Sequence, residues 1–390
     1  MTTHIMPTYA RQTVTFERGE GAWLWDVDGK RYLDAVAGVA VCNLGHSHPA
    51  VHQALCQQSE KLIHTSNLYG IQLQEKLADV LCQLSGMDNV FFCNSGTEAN
   101  EAAIKLARKY GHQKGIEEPV IVTMDKSFHG RTMGALAATG NNKVKQGFAP
   151  LLSGFVHVPY NDIAALQAAI EADSNIVAVL VEPVQGEGGV NIPDADYLNK
   201  IRELCDSHGL LMMLDEIQSG IGRTGRFLAF QYNNVLPDVC TLAKALGNGV
   251  PIGACMAHGK AAEILTAGNH GSTFGGNPLA CSAALAVIDT LRSTDLIAGA
   301  EHKGQAICNA IAKLTAGNLH VTAIRHKGLM IGIEIDAPCG ELVGKALEKG
   351  LLINVTADNT IRLLPPLVIN DEQIAMLTEI LSALIQEHTH

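Results

Sequence analysis

The stretch that decides the fold is residues 211–247, LMMLDEIQSGIGRTGRFLAFQYNNVLPDVCTLAKALG. Two runs of strand length, 210–214 and 238–242, lie within it or begin just before it. Asp215 follows the first run directly, and Lys244 comes two residues after the second. Ligands of open parallel α/β sheets bind where the carboxyl ends of the strands meet. If both runs belong to one sheet, an acid and an amine therefore reach the same edge.

A buried acid near a buried amine has two interpretations, because Asp and Lys are rarely buried unless they are paired or functional. The first is a structural ion pair between Asp215 and Lys244, since ion-pair networks also place charges inside proteins. The second is pyridoxal phosphate chemistry, which uses a lysine amine and an acidic partner for the pyridine nitrogen. These two residues alone leave both interpretations open.

The composition narrows the class of protein. The chain has 390 residues, 47% hydrophobic and 17% charged, which suits one large and one or two smaller globular domains. A net charge of −11 without a Lys/Arg cluster argues against nucleic acids and anionic membranes as partners. The apolar run 176–181 is too short to span a bilayer, and the N-terminus lacks the pattern of a signal peptide.

Neither the cysteines nor the histidines predict a metal site. The ten Cys are scattered and never form Cys-x-x-Cys, which argues against zinc ribbons and redox pairs. His46 and His48 are close in sequence, but no third ligand is spaced nearby, and a turn that caps a helix after Pro49 also explains them. Scattered Cys without a pairing pattern are typical of a reducing compartment, so we expect a cytoplasmic protein. Because no set of ligands has metal-binding spacing, we expect no bound metal.

From residue 90 onward, short apolar runs alternate with segments of helix length. The seven runs predicted as strands are 90–93, 120–124, 154–158, 177–181, 210–214, 239–242 and 253–257. Continuous apolar strands that alternate with helices are typical of a mostly parallel sheet covered on both faces. The sequence thus predicts a large α/β domain over residues 50–285, although periodicity does not set the strand order.

The two chain ends have a different pattern. Residues 23–34 alternate around Asp28-Gly29, a strong hairpin sequence. The C-terminal part, 286–390, mixes helices with strand runs at 329–335, 351–355 and 360–364. We expect it to form a small α+β domain that the N-terminal segment, 1–49, joins through its hairpin.

The motif NSGTE (94–98) links a predicted strand to a predicted helix. Backbone N–H groups at the N-terminus of a helix bind anions, so Ser95, Gly96 and Thr97 are in position to hold a phosphate. An ordinary helix cap explains the same residues. The motif is neither a Walker loop nor a GxGxxG fingerprint, which argues against ATP and NAD.

Five further side chains follow strands on the ligand-binding edge or lie in an apolar run. Phe128 can stack on a cofactor ring or pack in the core, and Arg131 can bind a carboxylate or form a surface ion pair. Glu182 and Glu187, in VEPVQGEGGV, are site acids or solvated loop residues. Arg362 is flanked by apolar residues and needs a partner if it is buried.

Taken together, these motifs resemble those of class III, fold-type-I pyridoxal phosphate aminotransferases. The resemblance extends from about residue 13 to about residue 385 and keeps the family order. The motifs that carry it are NSGTEANEAAIKLAR, SFHGRT, VEPVQGEGGV, LMMLDEIQSGIGRTG, LAKALGNGVPIG and HGSTFGGNPLA. It implies a fold-type-I α/β structure, with a mostly parallel seven-stranded sheet in the large domain and a smaller α+β domain built from both chain ends.

The resemblance also implies a cofactor, pyridoxal 5'-phosphate, and roles for matched residues. Lys244 would hold the cofactor aldehyde and, once substrate frees it, move the proton during transfer. Asp215 would keep the pyridine nitrogen protonated. Gln218 would bond the phenolic oxygen of the ring, and Phe128 would cover the ring.

The phosphate end of the implied site draws on two subunits. Ser95, Gly96 and Thr97 would bind the phosphate together with Thr273, which would reach across from a second subunit. Ser272, beside it, is assigned to the substrate. An active site shared in this way implies a homodimer as the smallest assembly.

Charge matching bears on the substrates. The acceptor, 2-oxoglutarate, has two carboxylates, which Arg131 and Arg362 can bind. The donor, N-acetylornithine, has one carboxylate and reacts at its distal amine, so a second Arg would be left unpaired at a cost. The resemblance assigns the compensating acid to Glu187, which would pair with Arg362 in one half-reaction and swing away in the other.

The resemblance, with which this charge matching agrees, implies a reaction that moves the distal amino group of N-acetylornithine to 2-oxoglutarate, giving N-acetylglutamate 5-semialdehyde and glutamate in arginine biosynthesis. Val39 stands where ornithine aminotransferases carry a Tyr, and His129 where they carry a Trp. Both differences disfavour free ornithine. Succinylornithine, 4-aminobutyrate and succinyl-diaminopimelate stay open as donors, and so does a non-catalytic binding protein on the same fold.

Overall fold

The computed structural model of the protein describes residues 4–389. Its strands are β1 (Phe16–Glu20), β2 (Trp23–Asp26), β3 (Arg31–Asp34), β4 (Asn89–Cys93), β5 (Val120–Met124), β6 (Phe155–Val158), β7 (Ile176–Val181), β8 (Leu211–Asp215), β9 (Val239–Leu242), β10 (Gly253–Ala257), β11 (Val321–Lys327), β12 (Met330–Ile335), β13 (Leu351–Leu352), β14 (Asn354–Thr356) and β15 (Thr360–Leu363).

The helices complete the element order. They are α1 (Ala37–Ala40), α2 (Pro49–Ser59), α3 (Gln72–Ser85), α4 (Gly96–Gln113), α5 (Met133–Ala138), α6 (Ile163–Ala172), α7 (Tyr197–His208), α8 (Pro278–Ser293), α9 (Leu296–Leu314), α10 (Leu342–Glu348) and α11 (Asp371–Thr389). Short 3-10 turns cover Asn142–Lys145, Ala229–Tyr232, Lys244–Leu246 and Gly259–Glu263.

The seven runs predicted between residues 90 and 257 all form strands of one sheet, with the order β4-β10-β9-β8-β7-β5-β6. Neighbours from β9 to β6 run parallel, whereas β10 is antiparallel to both β4 and β9. The predicted mostly parallel seven-stranded sheet is therefore confirmed. The strand order, which the sequence left open, puts β8 in the centre.

Both faces of this sheet are covered, as β8 illustrates. Leu211 and Met213 belong to the core that the sheet forms with α4, whereas Met212 and Leu214 belong to the larger core on the opposite face. Side chains alternate along a strand, so the next residue, Asp215, points to the α4 side. This alternation decides which helix supplies the partners of Asp215.

The two chain ends meet in small sheets. One has the order β1-β2-β3-β13, in which the predicted hairpin strands β2 and β3 pair antiparallel and β13 joins β3 in parallel. The other has the order β11-β12-β15-β14. The predicted run 351–355 is thus two strands in two sheets, since the chain leaves the first sheet at Ile353. The domain boundaries at residues 49/50 and 285/286 stay a prediction.

Strand β11 was not predicted. Its sequence, VTAIRHK, ends in charged residues, and none of its side chains is fully buried. It lies at the edge of its sheet and pairs only with β12. A weakly apolar edge strand lacks the continuous hydrophobic run that identified the central strands.

A left-handed turn lies between the hairpin and the large sheet. All four residues of α1 have positive φ, from 49° at Ala37 to 67° at Val39. This conformation costs about 1–2 kcal/mol for each residue other than glycine. Val39 packs with Met330 and Leu364 in a small apolar cluster, and this burial offsets part of the strain.

Two findings concern membranes and metals. Within residues 4–389, no helix combines the length and apolar character needed to cross a bilayer. The same described part of the chain contains no group of three or more His, Cys, Asp or Glu side chains placed to bind a metal ion. His46 Nε2 instead lies 2.8 Å from Asp34 Oδ2, and His48 precedes α2 without a side-chain capping bond.

Candidate functional site

A cavity of about 390 Å³ lies at the carboxyl edge of the central sheet. It opens where β7, β8 and β9 end, which is the position expected for a ligand in an open α/β sheet. The predicted site residues that line it are Ser95, Gly96, Thr97, Phe128, Arg131, Glu187, Asp215, Gln218 and Lys244. Residues far apart in sequence thus share one cavity.

Asp215 is 4% exposed and has three polar neighbours. Its Oδ2 accepts a hydrogen bond from Asn100 Nδ2 of α4 at 2.7 Å and lies 2.8 Å from His129 Nδ1. Its Oδ1 accepts from the Ile217 backbone N–H at 3.1 Å. Asn100 is itself held by the Thr241 hydroxyl, which donates to its Oδ1 at 2.8 Å. The carboxylate is therefore oriented before any ligand arrives.

The supporting roles of Asn100 and His129 were missed at the level of sequence. Asn100 is fully buried on α4, four residues after Gly96, so both lie on the same helix face. In the sequence, the only indication of such a role is an asparagine that lies among alanines in a predicted helix. His129 was noted only as a replacement for Trp, and no pattern tied it to Asp215.

Lys244 begins a 3-10 turn with φ of 46° and lines the same cavity. Burial, more than any neighbouring charge, lowers the pKa of its amine. A larger fraction of the amine is then neutral, and so nucleophilic, than for an exposed lysine. Within residues 4–389, the basic side chain that contacts Asp215 is His129 rather than Lys244, so a simple structural Asp–Lys pair does not describe the site.

The predicted anion site lies at the N-terminus of α4. Ser95 is the N-cap, and its hydroxyl accepts a hydrogen bond from the Glu98 N–H at 3.3 Å. The backbone N–H groups of Gly96 and Thr97 lie in the first turn, where a helix offers them no internal acceptor. The capping and anion-binding interpretations are therefore compatible, because they use different groups.

Arg362 does not line the cavity itself but contacts two residues that do, and it is 2% exposed. Its Nη1 donates to Glu187 Oε1 at 2.6 Å and to Gln218 Oε1 at 3.3 Å. Its Nη2 donates to Asn354 Oδ1 at 2.7 Å, a partner that sequence reasoning missed. Burial alone would raise the pKa of Glu187, but the charge and hydrogen bonds of Arg362 outweigh it and lower that pKa.

Arg131 differs from Arg362 in its surroundings. Its side chain is exposed and forms no ion pair with any residue between 4 and 389. Its guanidinium carbon lies 5.8 Å from the ring centroid of Phe128, and both side chains line the cavity. Of the two arginines, Arg131 is thus free to bind a carboxylate, whereas Arg362 already holds the acid Glu187.

Three predicted residues do not line this cavity, namely Arg362, Ser272 and Thr273. Ser272 Oγ accepts hydrogen bonds from Asn94 Nδ2 at 3.2 Å and from the Gly275 N–H at 2.9 Å. Asn94 lines the cavity, so Ser272 contacts the cavity wall through this residue. Thr273 is exposed. The contribution of Thr273 to a second subunit stays a prediction, because it requires a second chain.

Glu182 is a site acid rather than a solvated loop residue. It is 5% exposed and lines the cavity. Its Oε1 accepts from the Phe128 N–H at 2.9 Å and its Oε2 from the Gly186 N–H at 3.2 Å. Burial raises the pKa of Glu182 to about 7.

The donor set of the cavity fits pyridoxal phosphate. An anion site at the start of α4, an oriented acid at Asp215, an amine at Lys244 and an aromatic wall at Phe128 face one space. These groups match the phosphate, the ring nitrogen, the aldehyde and the ring face of that cofactor.

Comparisons with known proteins agree with this geometry. The family model for class-III aminotransferases matches residues 5–385. The chain is 54% identical to the acetylornithine aminotransferase of Nitrosomonas europaea over 98% of this chain and 97% of that one.

Solved structures are similar as well. The Toxoplasma gondii ornithine aminotransferase, in a structure with pyridoxal phosphate at partial occupancy in its active site, has a TM-score of 0.95 and 36% identity over 99% of this chain and 93% of that one. The acetylornithine aminotransferase of Elizabethkingia anophelis has a TM-score of 0.87 and 37% identity, with 98% and 96% of the two chains covered. The chain belongs to the class-III aminotransferase family.

Proposed function

We propose that this protein transfers the distal amino group of N-acetylornithine to 2-oxoglutarate. The products are N-acetylglutamate 5-semialdehyde and glutamate, and the pathway is arginine biosynthesis. The observation that carries the proposal is the Glu187–Arg362 contact of 2.6 Å next to the unpaired Arg131. The identity of 54% to an acetylornithine aminotransferase supports the same substrate.

The two arginines explain how one cavity accepts both substrates. Arg131 binds the carboxylate of either substrate. Arg362 binds the second carboxylate of 2-oxoglutarate, and Glu187 swings away to admit it. N-acetylornithine has no second carboxylate, so Glu187 stays on Arg362 and prevents a buried cation from standing unpaired.

The proposed cofactor is pyridoxal 5'-phosphate, which when bound supplies an aldehyde that takes up the amino group and a ring that withdraws electrons. Asp215 holds a proton at the pyridine nitrogen, and Gln218 bonds the phenolic oxygen. Lys244, whose pKa is lowered by burial, moves the proton at the carbon that carries the amino group. Phe128 covers the ring and keeps water from it.

The phosphate end is assigned to Ser95, Gly96 and Thr97. Their hydroxyl and backbone N–H groups lie at the positive end of an 18-residue helix. These groups would hold the phosphate of the cofactor, and Lys244 and Asp215 line the same cavity.

The proposed assembly is a homodimer in the cytoplasm, with Ser272 and Thr273 next to the cavity of the second subunit. Apolar side chains exposed beside Thr273 support a subunit interface, notably Leu68 at 86% and Phe274 at 60% exposure. Asn67 Nδ2 donates to the Ser272 carbonyl at 3.0 Å, so these segments form one surface.

An absorbance titration tests the proposal. The purified protein should carry the absorption of bound cofactor aldehyde, and N-acetylornithine without any keto acid should convert it to the amino form. If only ornithine, 4-aminobutyrate, succinylornithine or succinyl-diaminopimelate converts it, the substrate assignment is wrong and the family assignment stands. If added pyridoxal phosphate gives no such absorption, a non-catalytic binding protein is the better description.

A further inference from the structure

Two acids of the segment VEPVQGEGGV line the cavity, and the proposed mechanism uses only Glu187. The other, Glu182, follows β7 directly and is 5% exposed. A carboxylate that is buried so deeply needs hydrogen-bond donors, and the donors that it uses indicate what it does.

The two oxygens of Glu182 bind two different segments. Oε1 accepts from the Phe128 N–H, which belongs to the turn after β5. Oε2 accepts from the Gly186 N–H, in the loop that leads to Glu187. One carboxylate thus joins the aromatic wall of the cavity to the loop of the acid that holds Arg362.

The backbone of Glu182 is itself anchored. The Tyr160 hydroxyl contacts the carbonyl oxygens of both Glu182 and Pro183 at 3.1 Å. Gly186 also lies close to Gln218, because a Cβ added at this glycine would collide with the Gln218 side chain. The loop after Glu182 therefore packs directly against another residue that lines the cavity.

We propose that Glu182 is a positioning residue that couples the turn of Phe128 to the loop of Glu187. Its role requires a carboxylate, because both oxygens must accept from an N–H group. A glutamine at this position would turn its NH₂ group toward one of the two donors and lose that bond. The effect on the two half-reactions rests on the proposed function, whereas the coupling of the two segments does not.

The chain supplies a matched control in Glu216. It is also a buried acid, 1% exposed, and burial raises its pKa to about 7 as it does that of Glu182. Its carboxylate accepts from the Phe230 N–H at 2.9 Å and from the Ser219 hydroxyl at 2.5 Å. It does not line the cavity, so its replacement removes a similar buried charge from a different place.

Hydrogen–deuterium exchange of the purified full-length protein tests the coupling without any catalytic assay. In Glu182→Gln, peptides covering residues 126–131 or 183–189 should exchange faster by about tenfold or more at the amide of Phe128 or Gly186. In Glu216→Gln, both peptides should exchange as in the wild type. Unchanged exchange of both amides in a folded Glu182→Gln protein would overturn the proposal.

The half-reactions and the wild-type chain give two more readouts. If the protein is an aminotransferase, Glu182→Gln should change the ratio of kcat/KM for donor and acceptor by about threefold or more, whereas Glu216→Gln should leave that ratio constant. Equal losses in both half-reactions would indicate a merely structural role.

If Glu182→Gln does not fold, hydrogen–deuterium exchange of the wild type provides the test. Slow exchange at the amides of Phe128 and Gly186 supports the coupling, and free exchange at Gly186 contradicts it.

Discussion

The cofactor end and the substrate end of the cavity are built differently. At the cofactor end, Asp215 accepts hydrogen bonds from Asn100 and Ile217 and contacts His129 Nδ1, so three neighbours orient its carboxylate. At the substrate end, Arg131 is exposed and unpaired, and the acid on Arg362 is itself 30% exposed.

The difference follows from what each end has to bind. A cofactor that stays bound through both half-reactions favours groups fixed in advance, since fixed groups lose no entropy on binding. Two substrates with different numbers of carboxylates require one cation that can change partners. We therefore expect fixed groups at the cofactor end and a movable acid at the substrate end, because the two ends are proposed to serve different ligands.

The largest effect is expected at the cofactor end. Lys244→Ala removes the group that moves the proton, so turnover should fall by about 10⁴-fold or more. The phosphate site at α4 is untouched, and added pyridoxal phosphate should still bind, as measured by fluorescence titration. Normal turnover in this variant would refute the mechanism.

At the substrate end, Arg362→Ala should separate the two half-reactions. This variant should lower kcat/KM for 2-oxoglutarate by about 100-fold, because the second carboxylate of this substrate loses the buried cation that it pairs with. The value for N-acetylornithine should change by much less. Single-turnover absorbance in each direction provides the measurement.

Arg131→Ala is the matched control for that comparison. Both substrates present a carboxylate to Arg131, so this variant should impair both half-reactions. If Arg362→Ala impairs them equally as well, Arg362 is not a site for the second carboxylate alone.

A smaller effect is expected for Glu187→Gln. The neutral amide leaves Arg362 without a compensating charge when the donor binds, so kcat/KM for N-acetylornithine should fall by about tenfold. The value for 2-oxoglutarate should stay near that of the wild type, because Glu187 has to leave Arg362 for this substrate. A greater loss with 2-oxoglutarate than with the donor would contradict the movable acid.

The smallest expected effect concerns His46, which lies outside the cavity and should change the pH dependence of stability without changing activity. Burial alone would lower the pKa of His46, but its hydrogen bond to Asp34 outweighs burial and raises the pKa from 6.5 to about 9. Because the folded pKa is raised, the stabilisation is complete below pH 6.5 and is lost as pH rises through about 9.

The melting temperature of the wild type should therefore fall by a few degrees more than that of His46→Gln between pH 6.5 and pH 9. The control is His320→Gln, because the His320–Asp336 pair is 50% and 46% exposed and contributes little. Parallel melting curves for the wild type and His46→Gln would refute the assignment of this pH dependence to His46.

Prediction of the fold from sequence succeeded where local pattern is strong. The runs of the central sheet are continuous and apolar, as in β7 and β8, because both faces of that sheet are buried. Prediction failed for β11, whose side chains are only partly buried, and for the run 351–355, which divides between two sheets. A strand that is buried on one face of its sheet has a weaker hydrophobic pattern in its sequence than a strand that is buried on both faces.

Prediction of the site had a similar limit. Asp215 and Lys244 were identifiable because each follows a buried strand within one stretch of chain. Asn100, Glu182 and Asn354 were not assigned, because their roles depend on donors and acceptors supplied by distant segments. The partner of Arg362, Glu187, is 175 positions away in the sequence, and only the resemblance to the family indicated it.

The sequence by itself determined the strands of the central sheet and which residues follow those strands at the ligand-binding edge. These properties depend on neighbours a few residues apart, so a local pattern records them. The tertiary structure alone decided the strand order, the network around Asp215 and the hydrogen bonds of Glu182. Those depend on which buried donors meet which acceptors, and burial allows few polar groups to stay without a partner.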